Sequence, residues 1–240
     1  MGLHAFFATT DRTAAQPTAA APFLRTPPRW DYAPAYITPD ARLWPHQGTA
    51  PDYHLALAGS AHVDPGGGPN GHPCVSLSGY ARYEAAEPLP LTGAAARTHL
   101  VIFQTEATNE VELMGWGGTE YFGSLYDSMI YSTRLIQHFY GYEVYSASLV
   151  RPGEWNCWLV RGQPQFEDSL VLDMWLNSEY SSNIPGVSTS AGPLRLGSGH
   201  YSDVPNERKI ARVLIWDQAL TDDEINQVQA WVLATYGLPC

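Results

Sequence analysis

Residues 170–176 alternate strictly, with Leu170, Leu172, Met174 and Leu176 on one face of an extended chain and Val171, Asp173 and Trp175 on the other. A period of two marks a strand with one face on a core. Similar short runs at 98–105, 110–116, 119–126, 129–134, 142–150, 155–162, 193–197 and 208–217 predict a strand-rich protein. The period changes after 208–217. Thr221-Asp222-Asp223-Glu224 has the form of a capping box, and Ile225, Val228, Val232 and Tyr236 recur at helical spacing. Gly237 offers a left-handed C-cap and Pro239 prevents continuation, so a helix is predicted over 221–236. Many short strands with one long helix imply a two-sheet sandwich.

The beginning of the chain has a different texture. Residues 13–39 carry Pro17, Pro22, Pro27, Pro28, Pro34 and Pro39 among Ala and Thr. Repeated proline disfavours helix and internal strand, so 1–39 is predicted to be an extended arm and 40–240 the folded domain. Phe23, Leu24, Trp30, Tyr32 and Tyr36 punctuate the arm. These residues argue that it docks, either along a neighbouring subunit or on the protein's own sheet. From Asp40 to Gly93 the chain reads as loop and short strand.

Several motifs occur in a fixed order. Trp44-Pro45-His46-Gln47-Gly48 is similar to a Trp-x-Asp-x-Ser-Gly signature, with His46 in place of Asp. Asn70-Gly71-His72-Pro73-Cys74-Val75-Ser76-Leu77-Ser78-Gly79 is similar to an Asn-Gly-x-Pro-x-Val-x-Phe-x-Gly hairpin, with Leu77 in place of Phe. Gly153-Glu154-Trp155, then Leu176-Asn177-Ser178, then Leu194-Arg195-Leu196-Gly197 follow. Together with Ala234-Thr235-Tyr236-Gly237-Leu238 at the end, this order resembles the laminin-G-like, concanavalin A-like jelly rolls. That superfamily holds glycan-binding modules, some glucanases, and accessory domains of bacterial surface and phage proteins. The resemblance spans residues 40–239. It implies an all-β, two-sheet antiparallel jelly-roll sandwich with one C-terminal helix behind an extended N-terminal arm.

Charge narrows the partners. The 24 acidic and 13 basic residues give a net charge of −11, and Lys209 is the only lysine. No basic stripe is available to neutralise phosphates, so nucleic acid and anionic membrane are not expected partners. Cys74, Cys157 and Cys240 match no zinc or redox spacing. Cys74 and Cys157 lie in apolar runs and read as buried free thiols, Cys240 as an exposed terminal one. Phe6-Phe7 is not a sustained apolar stretch, and neither an export signal nor a membrane-spanning helix is expected.

Hydrolytic members of the resembled superfamily use carboxylates at alternate strand positions, close enough together for a retaining mechanism. Glu110-Val111-Glu112-Leu113-Met114-Gly115 begins with that spacing, but Met114 or Gly115 stands where the acid/base belongs. No catalytic residues are therefore expected. His46, His54, His62 and His72 lack metal-ligand spacing, and no metal site is assigned. Calcium is the single cofactor considered, through loop oxygens of Asp64, Asn70, Asp203 and Glu207.

The stretch from Trp116 to Tyr145 is crowded with aromatics, and most of them belong in a core. Two or three are expected at the surface, as rigid platforms for sugar rings or protein partners. The candidate ligand residues are Trp116, Tyr121, Tyr126, Tyr140, Tyr180 and Tyr201. A lectin-type fold without its own export signal, preceded by an aromatic arm, points to a bacteriophage virion protein, a head decoration or tail appendage. It would assemble as an oligomer with itself or other virion subunits and touch host-surface glycan. The alternative is a secreted or cell-surface carbohydrate-binding module, with a β-glucan hydrolase behind it.

Overall fold

The structure, a computed structural model, describes residues 26–38, 40–50, 53–118, 125–139, 142–187, 189–197 and 207–240. The strands in its first half are β1 (Trp30–Tyr32), β2 (Leu43–Trp44), β3 (Leu55–Ala58), β4 (Ala61–Asp64), β5 (Cys74–Leu77), β6 (Arg82–Leu89), β7 (Arg97–Thr105) and β8 (Val111–Gly117). Then come β9 (Leu125–Tyr131), β10 (Arg134–Phe139), β11 (Tyr142–Leu149), β12 (Trp155–Phe166), β13 (Ser169–Leu176), β14 (Glu179–Asn183), β15 (Gly192–Leu196) and β16 (Arg208–Trp216). Helix α1 (Asp222–Tyr236) follows.

These strands form two antiparallel sheets packed as a sandwich. The first runs β14-β13-β12-β7-β16-β5-β4, with β1 added beside β16; the second runs β11-β10-β9-β8-β15-β6-β3-β2. Val101, Phe103, Trp158, Val160, Val213 and Ile215 point from the first sheet into the core between the sheets. Their sequence neighbours Leu100, Ile102, Leu159, Leu214 and Trp216 point the other way and are buried against Ile225, Val228, Val232 and Tyr236 of α1. The middle strands of the first sheet are thus covered on both faces. That is why 208–217 reads as an almost unbroken apolar run while 170–176, nearer the edge, alternates.

Helix α1 forms as its sequence predicts. Thr221 accepts from the Glu224 backbone N–H, the Glu224 carboxylate accepts from the Thr221 N–H, and Gly237 closes the helix at φ 69°. Elsewhere the structure corrects the sequence reading. In place of strands at 119–126 and 129–134 stand β9 and β10, joined at Ser132 and Thr133 with φ of 50° and 68°. Such a left-handed two-residue turn usually announces itself by Asn or Gly, and Ser-Thr gives no such signal. Residues 119–124 lie outside the described residues.

The described end of the arm, residues 26–38, is built into the sandwich. Trp30, Asp31 and Tyr32 pair with Ile215, Leu214 and Val213 as an added strand. Prolines flank this strand and do not interrupt it, so the ladder loses no donor. Trp30 and Tyr32 are core residues rather than surface anchors, and Tyr36 is half-buried. The segment 47–50 runs along the other side of the same strand: Gln47 N–H donates to Asp31 O and Ala50 N–H to Arg29 O. A Cβ at Gly48 would come within 2.0 Å of Arg29 O, so only glycine allows this approach. Phe23 and Leu24 lie outside the described residues.

The cysteines also differ from expectation. Cys157 and Cys240 form a disulfide with Cα atoms 5.1 Å apart, leaving Cys74 as a buried free thiol. Cys240 is 4% exposed rather than a solvent-facing terminus. The bond fastens the segment after α1 to β12, beneath the helix.

Candidate functional site

Of the six aromatics expected to bind ligand, Tyr180 alone is both described and exposed. Tyr121, Tyr140 and Tyr201 lie outside the described residues. Trp116 and Tyr126 are in the core, at 0% and 1% exposure. The correction has a physical cause in β8. Val111 and Leu113 face the core, so strict alternation would turn Trp116 outward, but a bulge between Glu112 and Met114 shifts the phase. Met114 and Trp116 therefore turn inward. There Trp116 stacks on Tyr126 at 4.2 Å, with the Arg97 guanidinium 4.9 Å from the Tyr126 ring centroid.

A polar network completes that inner layer. Trp116 Nε1 donates to Leu91 O, Tyr126 Oη lies 3.3 Å from His99 Nδ1, and His99 Nε2 lies 3.0 Å from Ser128 Oγ. Ser128 Oγ donates to Gln137 Oε1 and accepts from Trp158 Nε1. Burial, helped by the Arg97 charge, lowers the His99 pKa to about 3, so the imidazole is neutral. A serine beside a histidine is here a packing device, since every member is enclosed.

The carboxylate pair missing from the sequence of β8 is supplied by its neighbour. Asp127, on β9, faces Gly115 in the register and lies beside Glu112. Burial, and next the Glu112 charge, push the Asp127 carboxyl well above its ordinary value. Glu112 and Asp127 are 1% and 0% exposed. Both carboxyl groups are closed off from solvent in this structure. Sequence reading missed Asp127 because the pairing lies across two strands.

Three of the four residues considered for calcium are described. Asp64 Oδ1 accepts from Gly66 N–H, Asn70 Nδ2 donates to Thr235 O, Glu207 stands at the start of β16, and Asp203 is outside the described residues. Among the described residues no three His, Cys, Asp or Glu side chains gather as a metal site.

The exposed tyrosine belongs to a built surface. Asn177 and Ser178, at φ 53° and 72°, turn β13 into β14 and set Tyr180 directly across from Trp175. Helix α1 leaves this edge of the first sheet uncovered, so Tyr180 is 54% exposed and Trp175 half-buried. The rings lie 5.4 Å apart at 47°. Tyr180 Oη donates to Asp173 Oδ1 at 2.7 Å, while Asp173 Oδ2 accepts from Arg161 Nε and Nη2 at 3.0 and 2.7 Å. Arg161 also donates to Asp222 Oδ1 and Leu220 O at the start of α1, and its guanidinium sits 5.6 Å from the Trp175 ring centroid. Burial pushes the Asp173 carboxyl up, but the bonds from Tyr180 and Arg161 outweigh it and hold the group below its usual value. An ionised Asp173 thus fixes the Tyr180 ring on one side and the helix-anchored Arg161 on the other. The result is a rigid aromatic shelf with charged and polar groups at its margin.

Two more tyrosines of the crowded stretch, Tyr131 and Tyr145, are also at the surface, at 41% and 40% exposure. They lie on the far sheet, where Tyr145 Oη donates to Glu143.

No protein-family model and no curated protein matches the sequence. Solved structures do match in fold. The binding domain of botulinum neurotoxin DC, in complex with rat synaptotagmin II, superposes with a TM-score of 0.60 at 7% identity over 84% of this chain and 51% of that one. The botulinum neurotoxin type G receptor binding domain gives 0.59 at 9% identity over 85% and 51%. A structure of botulinum neurotoxin type C, described as dependent for cell entry on interaction with two ganglioside molecules, gives 0.55 at 9% over 77% and 48%. The chain spans about half the length of each. At these identities the likeness is one of fold, a β-sandwich of the kind found in binding domains.

Proposed function

We propose that this protein is a non-catalytic carbohydrate-binding sandwich whose ligand stacks on the Trp175–Tyr180 shelf. The observation that carries the reading is the held, exposed pair of aromatic rings beside an ionised Asp173 on an uncovered sheet edge. Sugar rings present one apolar face and a rim of hydroxyls, and rigid Tyr and Trp supply contact at little entropic cost. The sandwich fold shared with binding domains of toxins that engage a glycolipid or a receptor protein supports it further. On a glycan array, Tyr180→Ala is expected to lower binding about tenfold or more while the melting temperature stays within a few degrees, since one stacked ring is worth ~1–2 kcal/mol. The same glycans should yield no reducing ends on incubation. An array blank for the parent protein, or turnover of any glycan, would sink the reading.

The finer reading makes the module part of a bacteriophage virion, with the secreted or cell-surface module as its competitor. The Cys157–Cys240 disulfide supports a location outside the reducing cytosol, and both virion and cell surfaces satisfy it. Since Trp30 and Tyr32 are used inside the sandwich, an assembly role for the arm rests on Phe23, Leu24 and their neighbours. Removing residues 1–25 is therefore the informative truncation, whereas a cut at 39 would also remove β1. Loss of oligomer or particle association with an unchanged melt is the expected outcome. Undiminished association would leave the virion reading without its arm.

A further inference from the structure

At the ends of β4, β5, β7 and β16, the first sheet borders a cleft of about 540 Å³ lined by residues 60–62, 76–78, 104–106 and 207–209. The register orders its lining. Gln104 of β7 faces Lys209 of β16, Lys209 faces Ser76 of β5, and Ser76 faces His62 of β4. Side chains directly opposite share a face, so these four form one row, about 14 Å long at the ordinary strand spacing. Trp155 of β12 faces Gln104 and ends the row with a half-buried indole. Two residues further along the strands, about 7 Å away, Glu106 and Glu207 line the same cleft and are exposed.

The chemistry of the two rows differs. Lys209 is the only lysine of the chain, is half-buried, and makes no ion pair within 4.0 Å among the described residues. The Gln104 amide nitrogen is held by Gly153 O, which leaves its carbonyl oxygen to the cleft. An ammonium on a half-buried lysine gives up water when a ligand covers it, and recovers that cost when the ligand brings an anion. The carboxylates of the second row suit hydroxyl donors. A polyanion or a phosphate dianion would meet both Glu106 and Glu207 as well as a net charge of −11.

We propose that this cleft binds a carboxylated sugar, a single uronate-type pyranose, with its carboxylate on Lys209 and its hydroxyls toward Glu106 and Glu207. The cleft is separate from the Trp175–Tyr180 shelf and shares no residue with it. Methyl β-glucuronide and methyl β-glucoside differ only in the carboxylate and make the matched probes. By NMR titration of the full chain, the glucuronide is expected to bind about tenfold tighter. Lys209→Gln should bring the glucuronide to the affinity of the glucoside and leave the glucoside unchanged, while Lys209→Arg keeps the preference. Tyr180→Ala should alter neither, so failure of the shelf and failure of the cleft are read separately. Equal binding of the two probes, binding of neither, or a preference that survives Lys209→Gln would overturn the proposal.

Discussion

Asp31→Ala is expected to cost about 3–5 kcal/mol of folding stability, the range for breaking a buried ion pair by removing one partner. Asp31 Oδ2 and Arg212 Nη2 are 2.7 Å apart, with side chains 2% and 0% exposed. Burial pushes the Asp31 carboxyl above its ordinary value, and the Arg212 guanidinium 2.7 Å away offsets part of that rise. Arg212 lies beneath α1, its guanidinium 5.7 Å from the Trp231 ring centroid. Without Asp31 its charge remains in a place water does not reach. The pair also joins β1, β16 and the helix, so the loss should appear as one cooperative shift in urea unfolding. Asp31→Leu combined with Arg212→Met, which removes both charges, should recover most of it. A cost below ~1 kcal/mol for Asp31→Ala would mean that residues 26–38 are not part of the cooperative unit.

Loss of the Cys157–Cys240 bond is expected to be of similar size. It closes a loop across a sequence separation of 83 residues. Chain-entropy reasoning assigns such a closure about 4–5 kcal/mol. For a protein of this size that is a fall of roughly 10–15 °C in melting temperature. Cys240→Ser, or the parent protein melted with reductant, should show it, and intact mass should report two hydrogens fewer in the oxidised chain. Superimposable melts with and without reductant would refute a structural role for the bond. Because Cys157 is on the face that meets α1, the variant should also free the residues after Tyr236.

Features governed by neighbours a few residues apart were legible in the chain alone. The capping box at Thr221, the apolar face of α1, the left-handed Gly237 and the alternation of 170–176 are all local, and all stand as read. Their number and order were enough for a two-sheet sandwich with a terminal helix. Tyr180 was legible as a candidate surface aromatic, but it reads as a loop residue where the structure has β14, and its partners were not legible. Trp175, Asp173 and Arg161 join it only because β12, β13 and β14 lie side by side in one register. The tertiary structure also decided which way Trp116 points, since one bulge inverts every side chain beyond it and leaves no mark in composition. It turned Cys240 from a loose terminus into half of a disulfide, and Trp30 from an arm residue into core, because each depends on where a distant strand runs. The cleft shows the same division most plainly. His62, Ser76, Gln104 and Lys209 are unremarkable and far apart along the chain, and antiparallel pairing alone sets them in one row. Short-range physics writes the elements into the sequence, while pairing between strands places side chains from distant segments on one surface.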